Sequence, residues 1–514
     1  MTTDTGRRRT LQLLGAGAMA LGTRRLHAQP GNTARRPARS GAPNIIFIMT
    51  DDHAQHAMSV YGNSLLKTPN MDRIGNEGIR FDQAFVTNSL CAPSRASYMT
   101  GLYSHTHGVT SNGEEPGFYE QMGMAKGQPT WPMLLREVGY HTALVGKWHI
   151  KSLPEGFDHW AILPGQGTYY DPDFLVNGAR VRFRGHTDDV IGDQAMAYLR
   201  HGRPKDGPFC LLYQFKAPHG PWEADTRFGD RFKDARIPIP VAFREGPPEG
   251  APEALSRTRM SVAEMGDFKT PRERRPALVD KELPPGQLAD ANLQALVRSY
   301  YRVLLGVDEN VGRVLDFLDK EGLAEDTIVV YASDNGFFLG EFGFYDKRLM
   351  YEPSIRVPML MRWPKSIRAG QVDTDHMVLN IDVAPTLLEL AGVAVPDTMQ
   401  GLSWKPLLSD ADAPWRDAFL YEFFEYPAAH CVRKHRGVRT ADWKLIHFWE
   451  RPDEWALYDL REDPDELVNL IDRPEHAARV AQLKQRLQVL RAETGDVDPP
   501  GYVAPELEPG KCPA

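Results

Sequence analysis

Cysteine is scarce in this chain: four residues in 514, at Cys91, Cys210, Cys431 and Cys512. That is too few for a disulfide-held scaffold, and no spacing among them suits a zinc site. A surplus of positive charge is also missing. Lys and Arg total 60 against 68 Asp and Glu, a net charge of −8, which argues against nucleic acid as a partner. A polyanionic substrate stays open, because the local charge of a pocket decides that. No apolar run is long enough to span a bilayer, so no membrane span is expected after maturation. Neither internal repeats nor coiled-coil heptads occur. What remains, 42% apolar and 25% charged residues, is ordinary globular composition with length for more than one domain.

The first 28 residues do not read as part of the fold. Arg7-Arg8-Arg9-Thr10-Leu11 precedes a short apolar stretch, Leu11–Gly22, and Leu26-His27-Ala28 offers a small-residue cleavage site. This pattern predicts a twin-arginine export signal over residues 1–28, with the twin-arginine machinery as partner and a periplasmic or exported product. A disordered basic tail is the plainer alternative. Residues 29–42 form a Pro/Gly/Arg-rich linker.

Two strand ends then carry the same chemistry. Asn44–Met49 is a continuous apolar run that predicts a buried parallel strand, and it ends in Asp51-Asp52. Thr327–Ala332 repeats the pattern and ends in Asp334-Asn335. Open α/β sheets bind ligands at the carboxyl ends of strands. One acidic pair would read as a helix cap. Both pairs together, three carboxylates and an amide, predict a hard oxygen cage for Ca²⁺, or less well Mg²⁺. Two further strands, His141–Val145 and Pro208–Phe215, open onto Lys147-Trp148-His149 and Pro218-His219-Gly220. Spacing predicts helices over Trp131–Val138, Asn292–Glu321 and Asp382–Ala391, with an irregular insertion at Glu223–Gly286 beside the site.

Between the strands lies Cys91-Ala-Pro-Ser-Arg-Ala-Ser-Tyr-Met-Thr-Gly101. Pro93 and Ser94 predict a helix start, which places Cys91 just ahead of a helix N-terminus and Arg95 four residues on. An unmodified cysteine there is expected to be an activated thiolate. The plainer alternative is a small buried residue opening a helix.

The whole string resembles the sulfatase signature, Cys-x-Pro-Ser-Arg followed by Thr-Gly. The strand ending in Asp-Asp, Gly-Lys-Trp-His, Pro-His-Gly, Ser-Asp-Asn-Gly and a downstream Lys follow in sulfatase order. The resemblance implies an alkaline-phosphatase-like α/β core at residues 43–405, a mixed, mostly parallel sheet flanked by helices. A smaller C-terminal subdomain at 406–514, an antiparallel sheet with a packed helix, follows from its short strands. It implies formylglycine made from Cys91 by a maturation enzyme, and Ca²⁺ held by Asp51, Asp52, Asp334, Asn335 and the modified Cys91. Arg95, Lys147, His149, His219 and Lys347 would surround the sulfate. His219 or Lys347 would protonate the leaving oxygen, and His149 would later remove a proton from formylglycine hydrate.

The run from Tyr421 to Phe448 looks like the C-terminal part of sulfatases acting on 6-sulfated N-acetylglucosamine, so a sulfated carbohydrate or aryl sulfate is the expected substrate. Arg433 and His435 are candidate substrate contacts there, with a solvated basic turn as the alternative. Other readings stay open at this point: an arylsulfatase or different carbohydrate sulfatase, a phosphomonoester or phosphonate hydrolase of the same fold, and a sulfoglycan-binding protein without activity.

Overall fold

A computed structural model describes residues 39, 41–113, 124–245, 247–267, 283–428, 430–507 and 512; the expected export signal lies outside them. At its centre four parallel strands run side by side: β1 (Asn44–Thr50), β2 (His141–Lys147), β3 (Phe209–Gln214) and β4 (Thr327–Ser333), in the order β4-β1-β3-β2. His159–Leu163 extends this parallel set beyond β2, and Met359–Arg362 pairs antiparallel with β4. Ten strands in all make a mixed sheet. β1 is apolar throughout because both faces are covered. Ile46 and Ile48 enter one core, while Ile45, Phe47 and Met49 enter the other. Each fully buried Ile or Phe contributes about 1.5–3 kcal/mol.

Helix α1 (Cys91–Thr100) lies on the second face, and the long helix α2 (Pro285–Lys320) covers the first through Leu296, Tyr300, Val303 and Val307. α2 begins seven residues before the expected Asn292, with Pro285 in its first turn, where a missing N–H costs nothing. The expected irregular insertion holds only short helical turns among its described residues, such as Val241–Glu245 and Glu253–Ser256. A hairpin at the sheet edge, Asp173–Val176 with Ala179–Arg182, and the helix Thr187–Ala197 were not anticipated. The second hairpin strand is exposed on both faces, so it carries no alternation to read.

The C-terminal part is a four-stranded antiparallel sheet: β5 (Ala418–Phe423), β6 (His435–Thr440), β7 (Trp443–Phe448) and β8 (Glu454–Asp459). Helix α3 (Ala477–Thr494) packs on it through Leu483, Leu487 and Leu490. Cys431 and Cys512 form a disulfide; Cys91 and Cys210 stay free and buried.

His105 ties these parts together. Its Nδ1 meets Glu422 Oε2 of β5 at 2.6 Å, and its Nε2 donates to the Thr494 carbonyl closing α3 at 3.0 Å. Burial alone would depress its pKa, but the Glu422 hydrogen bond and charge outweigh that and lift it to about 9. A raised histidine stabilises most below its unfolded pKa near 6.5, and the gain is lost as pH rises through 9. His105→Gln should therefore melt well below the parent at pH 6, with the gap closing above pH 9. A gap independent of pH in parallel thermal melts would remove the charged pair from this account.

Candidate active site

Four adjacent strand ends deliver the site. β1 runs into Asp51-Asp52, β4 into Asp334-Asn335, β2 ends on Lys147, and β3 ends on Gln214 before Lys216 and His219. β2 and β3 approach closely at Gly146. A Cβ there would stand 1.7 Å from the Gln214 carbonyl oxygen, at a φ of +108°, so only glycine lets Lys147 reach its place. Around the site, Asp52, His149, Trp222, Asp346 and Arg348 all hold positive φ. Such backbone costs on the order of 1–3 kcal/mol per residue and concentrates where side-chain aim matters.

The candidate side chains converge. Cys91 Sγ donates to Asp51 Oδ1 at 3.3 Å. Lys147 Nζ pairs with Asp51 Oδ2 and donates to Gln166 Oε1 at 2.5 Å. Arg95 Nε bonds Asp334 Oδ2 at 2.8 Å, its Nη1 bonds the Lys147 carbonyl at 2.6 Å, and Nη1 also reaches Gln214. Lys347 Nζ donates to both oxygens of Asp52, at 2.5 and 2.7 Å. His219 Nε2 stands 3.8 Å from Asp52 Oδ2. Its side chain is 21% exposed, whereas Arg95, Lys147 and Lys347 are at most 2% exposed, so His219 marks the open side. His149 is buried nearby, its Nδ1 without a hydrogen-bond partner.

The donor set can be tested against a metal. Oxygens of Asp51, Asp52 and Asp334 lie within 4.8 Å of one another, compatible with a shared ion at Ca–O distances of about 2.3–2.6 Å. Asn335 Nδ2 is used by Asp52 Oδ1 and the Gly336 carbonyl, while its Oδ1 is buried with no donor. An orphaned amide oxygen beside three carboxylates fits a hard divalent cation. Burial lowers Lys147 well below the ordinary lysine value, but a divalent ion with Arg95 and Lys347 still outweighs the three carboxylates, leaving the site net positive as an anionic ester requires.

Protonation departs from one expectation. Helix α1 starts at Cys91 itself, with Leu90 as its cap residue, two residues earlier than expected. Yet Cys91 is no activated thiolate. Burial pushes its thiol well above the ordinary range; Lys347 and Arg95 pull it back too little against Asp334 and Asp52. Burial, together with the surrounding lysines, drives His149 and His219 well below the usual histidine value, so both are neutral.

Two expected substrate contacts are placed elsewhere. Arg433 is 3% exposed; its guanidinium pairs with Glu454 and donates to the Glu450 and Pro452 carbonyls, at 2.5 and 2.8 Å. His435 is fully buried, accepting from the Met350 amide at 3.1 Å among Tyr421, Phe423 and Phe448. Both side chains are spent on contacts inside the protein. Beside Lys347 stand other polar groups instead. Asp346 pairs with Arg348 and, at 3.3 Å, with His430 Nε2. The insertion borders them, its Met260 carbonyl accepting from the Tyr345 amide at 2.8 Å.

The sheet, the strand-end cage and the buried nucleophile position define an alkaline-phosphatase-like hydrolase of anionic esters. The chain belongs to the sulfatase family, whose pattern it matches over residues 43–393, followed by an N-sulphoglucosamine sulphohydrolase C-terminal match over 340–493. It is a sulfuric ester hydrolase. An N-acetylglucosamine-6-O-sulfatase of Bacteroides thetaiotaomicron is 42% identical over 499 residues, covering 89% of this chain and 88% of the relative. The human N-acetylglucosamine-6-sulfatase is 27% identical, covering 90% of this chain and 87% of that protein. A protein solved in complex with its substrate D-glucosamine-2-N,6-O-disulfate superposes with a TM-score of 0.82 at 40% identity, covering 89% of this chain and 99% of its own. A phosphonate monoester hydrolase of Agrobacterium radiobacter, at 21% identity and a TM-score of 0.69, shares the fold; it covers 88% of this chain and 96% of its own.

Proposed function

We propose that the protein removes the 6-O-sulfate of N-acetylglucosamine in glycans, using formylglycine derived from Cys91 and a bound Ca²⁺. The observation that carries the chemistry is the cluster of Asp51, Asp52 and Asp334, with Cys91 on Asp51, the orphaned Asn335 Oδ1 on an amide bonded to Asp52, and Arg95, Lys147 and Lys347 paired with the carboxylates. The sugar assignment rests on the relative named above at 42% identity over nearly the whole chain.

Sulfatases in general use formylglycine and a divalent metal; here the aldehyde hydrate would supply the nucleophile at Cys91, and the ion, held by Asp51, Asp52, Asp334 and Asn335, would polarise the sulfate oxygens. The remaining work falls to residues in place. Arg95, Lys147 and Lys347 stabilise charge on the sulfate as the ester bond breaks. His219 Nδ1 donates to the Gly220 carbonyl at 2.8 Å, so Nε2, bare in the neutral ring, first takes up a proton from the open side and then, from the imidazolium, passes it to the leaving sugar oxygen. Buried His149, held neutral, is the group that takes up a proton. Asp346, Arg348 and His430, next to Lys347, offer hydrogen-bonding groups for sugar hydroxyls.

Export is part of the proposal. The arginine-led N-terminal segment directs it, and the Cys431–Cys512 disulfide suits an oxidising compartment such as the periplasm. The decisive assay measures sulfate released from 6-sulfated N-acetylglucosamine, with 4-nitrophenyl sulfate and 4-nitrophenyl phosphate alongside. Sulfate release from the sugar, with phosphate at least about 100-fold slower, is expected because charge and leaving-group geometry differ. Faster phosphate cleavage, or no release from any 6-sulfated hexosamine, would overturn it.

A further inference from the structure

The edge hairpin brings arginines to the same rim of the sheet as the candidate site. His159–Leu163 runs parallel to β2 with Leu163 beside Lys147, so both strands end together. Asp173–Val176 pairs antiparallel with His159–Leu163, and Ala179–Arg182 pairs antiparallel with Asp173–Val176. Leu175 stands opposite both Ile162 and Arg180, and Ile162 stands opposite Gly146. This register sets Arg180 level with Gly146 and carries Arg182, opposite Asp173, beyond the end of β2. Three strand spacings, about 14 Å, separate the Lys147 strand from the Arg182 strand.

Arg180 and Arg182 share one face of their strand and line a groove of about 510 Å³ with Gln166, Tyr170, Asp171 and Asp173. That volume is ordinary for a small-ligand site. Gln166 joins the groove to the catalytic cluster, because its Oε1 accepts from Lys147 Nζ at 2.5 Å. The acidic groups are drawn away from Arg182. Asp173 lies opposite it in the ladder yet pairs with Arg180 at 2.7 Å, and Asp171 Oδ1 accepts from the Gly185 amide at 2.9 Å. Arg182 and the next arginine, Arg184, are exposed and have no ion-pair or hydrogen-bond partner among the described residues. One charge on an edge strand is enough to discourage edge-to-edge pairing. Two open guanidiniums at the substrate rim, on a chain of net charge −8, instead match a ligand that carries sulfate or carboxylate groups.

We propose that this groove docks an acidic sugar further along the glycan whose terminal sulfate is being removed, with Arg182 and Arg184 pairing to its uronate or sulfate groups. The site rests on the sulfatase reading above and narrows its substrate from a single sugar to an acidic oligosaccharide. Gln166 marks the path, with Lys147 on one side and the arginine groove on the other. Since the two arginines touch no reacting atom, they act on capture of the chain and leave the chemical step alone. Their pull on an exposed polyanion weakens as salt screens it.

The test uses 6-sulfated N-acetylglucosamine, alone and as the terminal residue of a uronate-containing tetrasaccharide. The parent is compared with the double variant Arg182→Ser/Arg184→Ser and with Arg461→Ser, which removes an exposed arginine of the C-terminal part. At low salt the double variant should raise KM for the tetrasaccharide about tenfold, with kcat within about twofold, as expected for two lost surface ion pairs. Both constants for the single sugar should stay unchanged, and Arg461→Ser should behave as the parent on both. The KM difference should shrink as salt is added. In calorimetric titration, a uronate tetrasaccharide lacking the 6-sulfate should bind the parent about tenfold more tightly than the double variant. An equal effect on the single sugar, an unchanged KM for the tetrasaccharide, or the same loss in Arg461→Ser would overturn the proposal. So would an oligonucleotide of equal charge binding the parent as tightly as the acidic tetrasaccharide, which would make the groove a general anion patch. If the parent releases sulfate from neither sugar, the sulfatase reading falls while the titration still decides the groove.

Discussion

Replacing Cys91 with serine is expected to lower turnover of any sulfate ester by about 10⁴-fold or more while leaving the fold intact, since a nucleophile acting with its partners is lost as a unit. Serine nearly matches cysteine in size at a fully buried position, and Asp51 Oδ1, 3.3 Å from Sγ, can accept from a hydroxyl as well as from a thiol. Serine lacks the second oxygen that an aldehyde hydrate carries. Attack on sulfur can then occur, but nothing on the same carbon drives sulfate out again. Mass spectrometry of the peptide around position 91 should show the aldehyde in the parent, and a stable sulfate ester on serine after incubation with substrate. A Cys91→Ser protein that turns over normally would remove this residue from the chemistry altogether.

Metal removal should have the second-largest effect. Chelation is expected to abolish turnover and lower the melting temperature, with both restored by Ca²⁺. Ligand linkage alone gives about 4 kcal/mol of stabilisation at a thousandfold excess over Kd. Asn335→Leu separates the cation from the carboxylates: it keeps Asp51, Asp52 and Asp334 but deletes a buried oxygen beside them that lacks a donor. Elemental analysis of that variant should find less bound divalent metal than in the parent, and activity should fall with it. Full activity in metal-free protein would leave the cage as a plain ion-pair network with Arg95, Lys147 and Lys347.

Much of this centre was visible in the chain because it follows one rule, polar residues placed directly after a buried apolar run. Asp51-Asp52 and Asp334-Asn335 both obey it, and β1 and β4 prove to be neighbours in register, Thr50 opposite Ser333. The same rule pointed to Lys147 and His219 but stopped short of Gln214, the last residue of β3, and Lys216, two residues beyond it. Gln166 gave no signal, since it belongs to a loop defined only by tertiary contact with Lys147. Arg433 and His435 misled for the opposite reason. Cations near the mouth of a glycan enzyme suggest a ligand, but Glu454 and backbone carbonyls neutralise one, and an aromatic cage encloses the other. Nor does a count of four cysteines say which two meet; Cys431 and Cys512 are 81 residues apart.

The burial of Cys91 imposes a chronology on the life of the protein. Once α1 docks on the sheet, no enzyme can touch the side chain at position 91, so the proposed conversion of Cys91 has to be made on a nascent or unfolded chain. Cys431 and Cys512 obey the reverse constraint, because Cys512 lies near the end of the sequence and its partner is brought near it by the folded C-terminal sheet. The proposed export fits both constraints: Cys91 would be reached before the molecule closes, where thiols persist, and Cys431 and Cys512 would join after it has closed, where they do not. Passage across a membrane in the folded state, between those two environments, satisfies both in the right order.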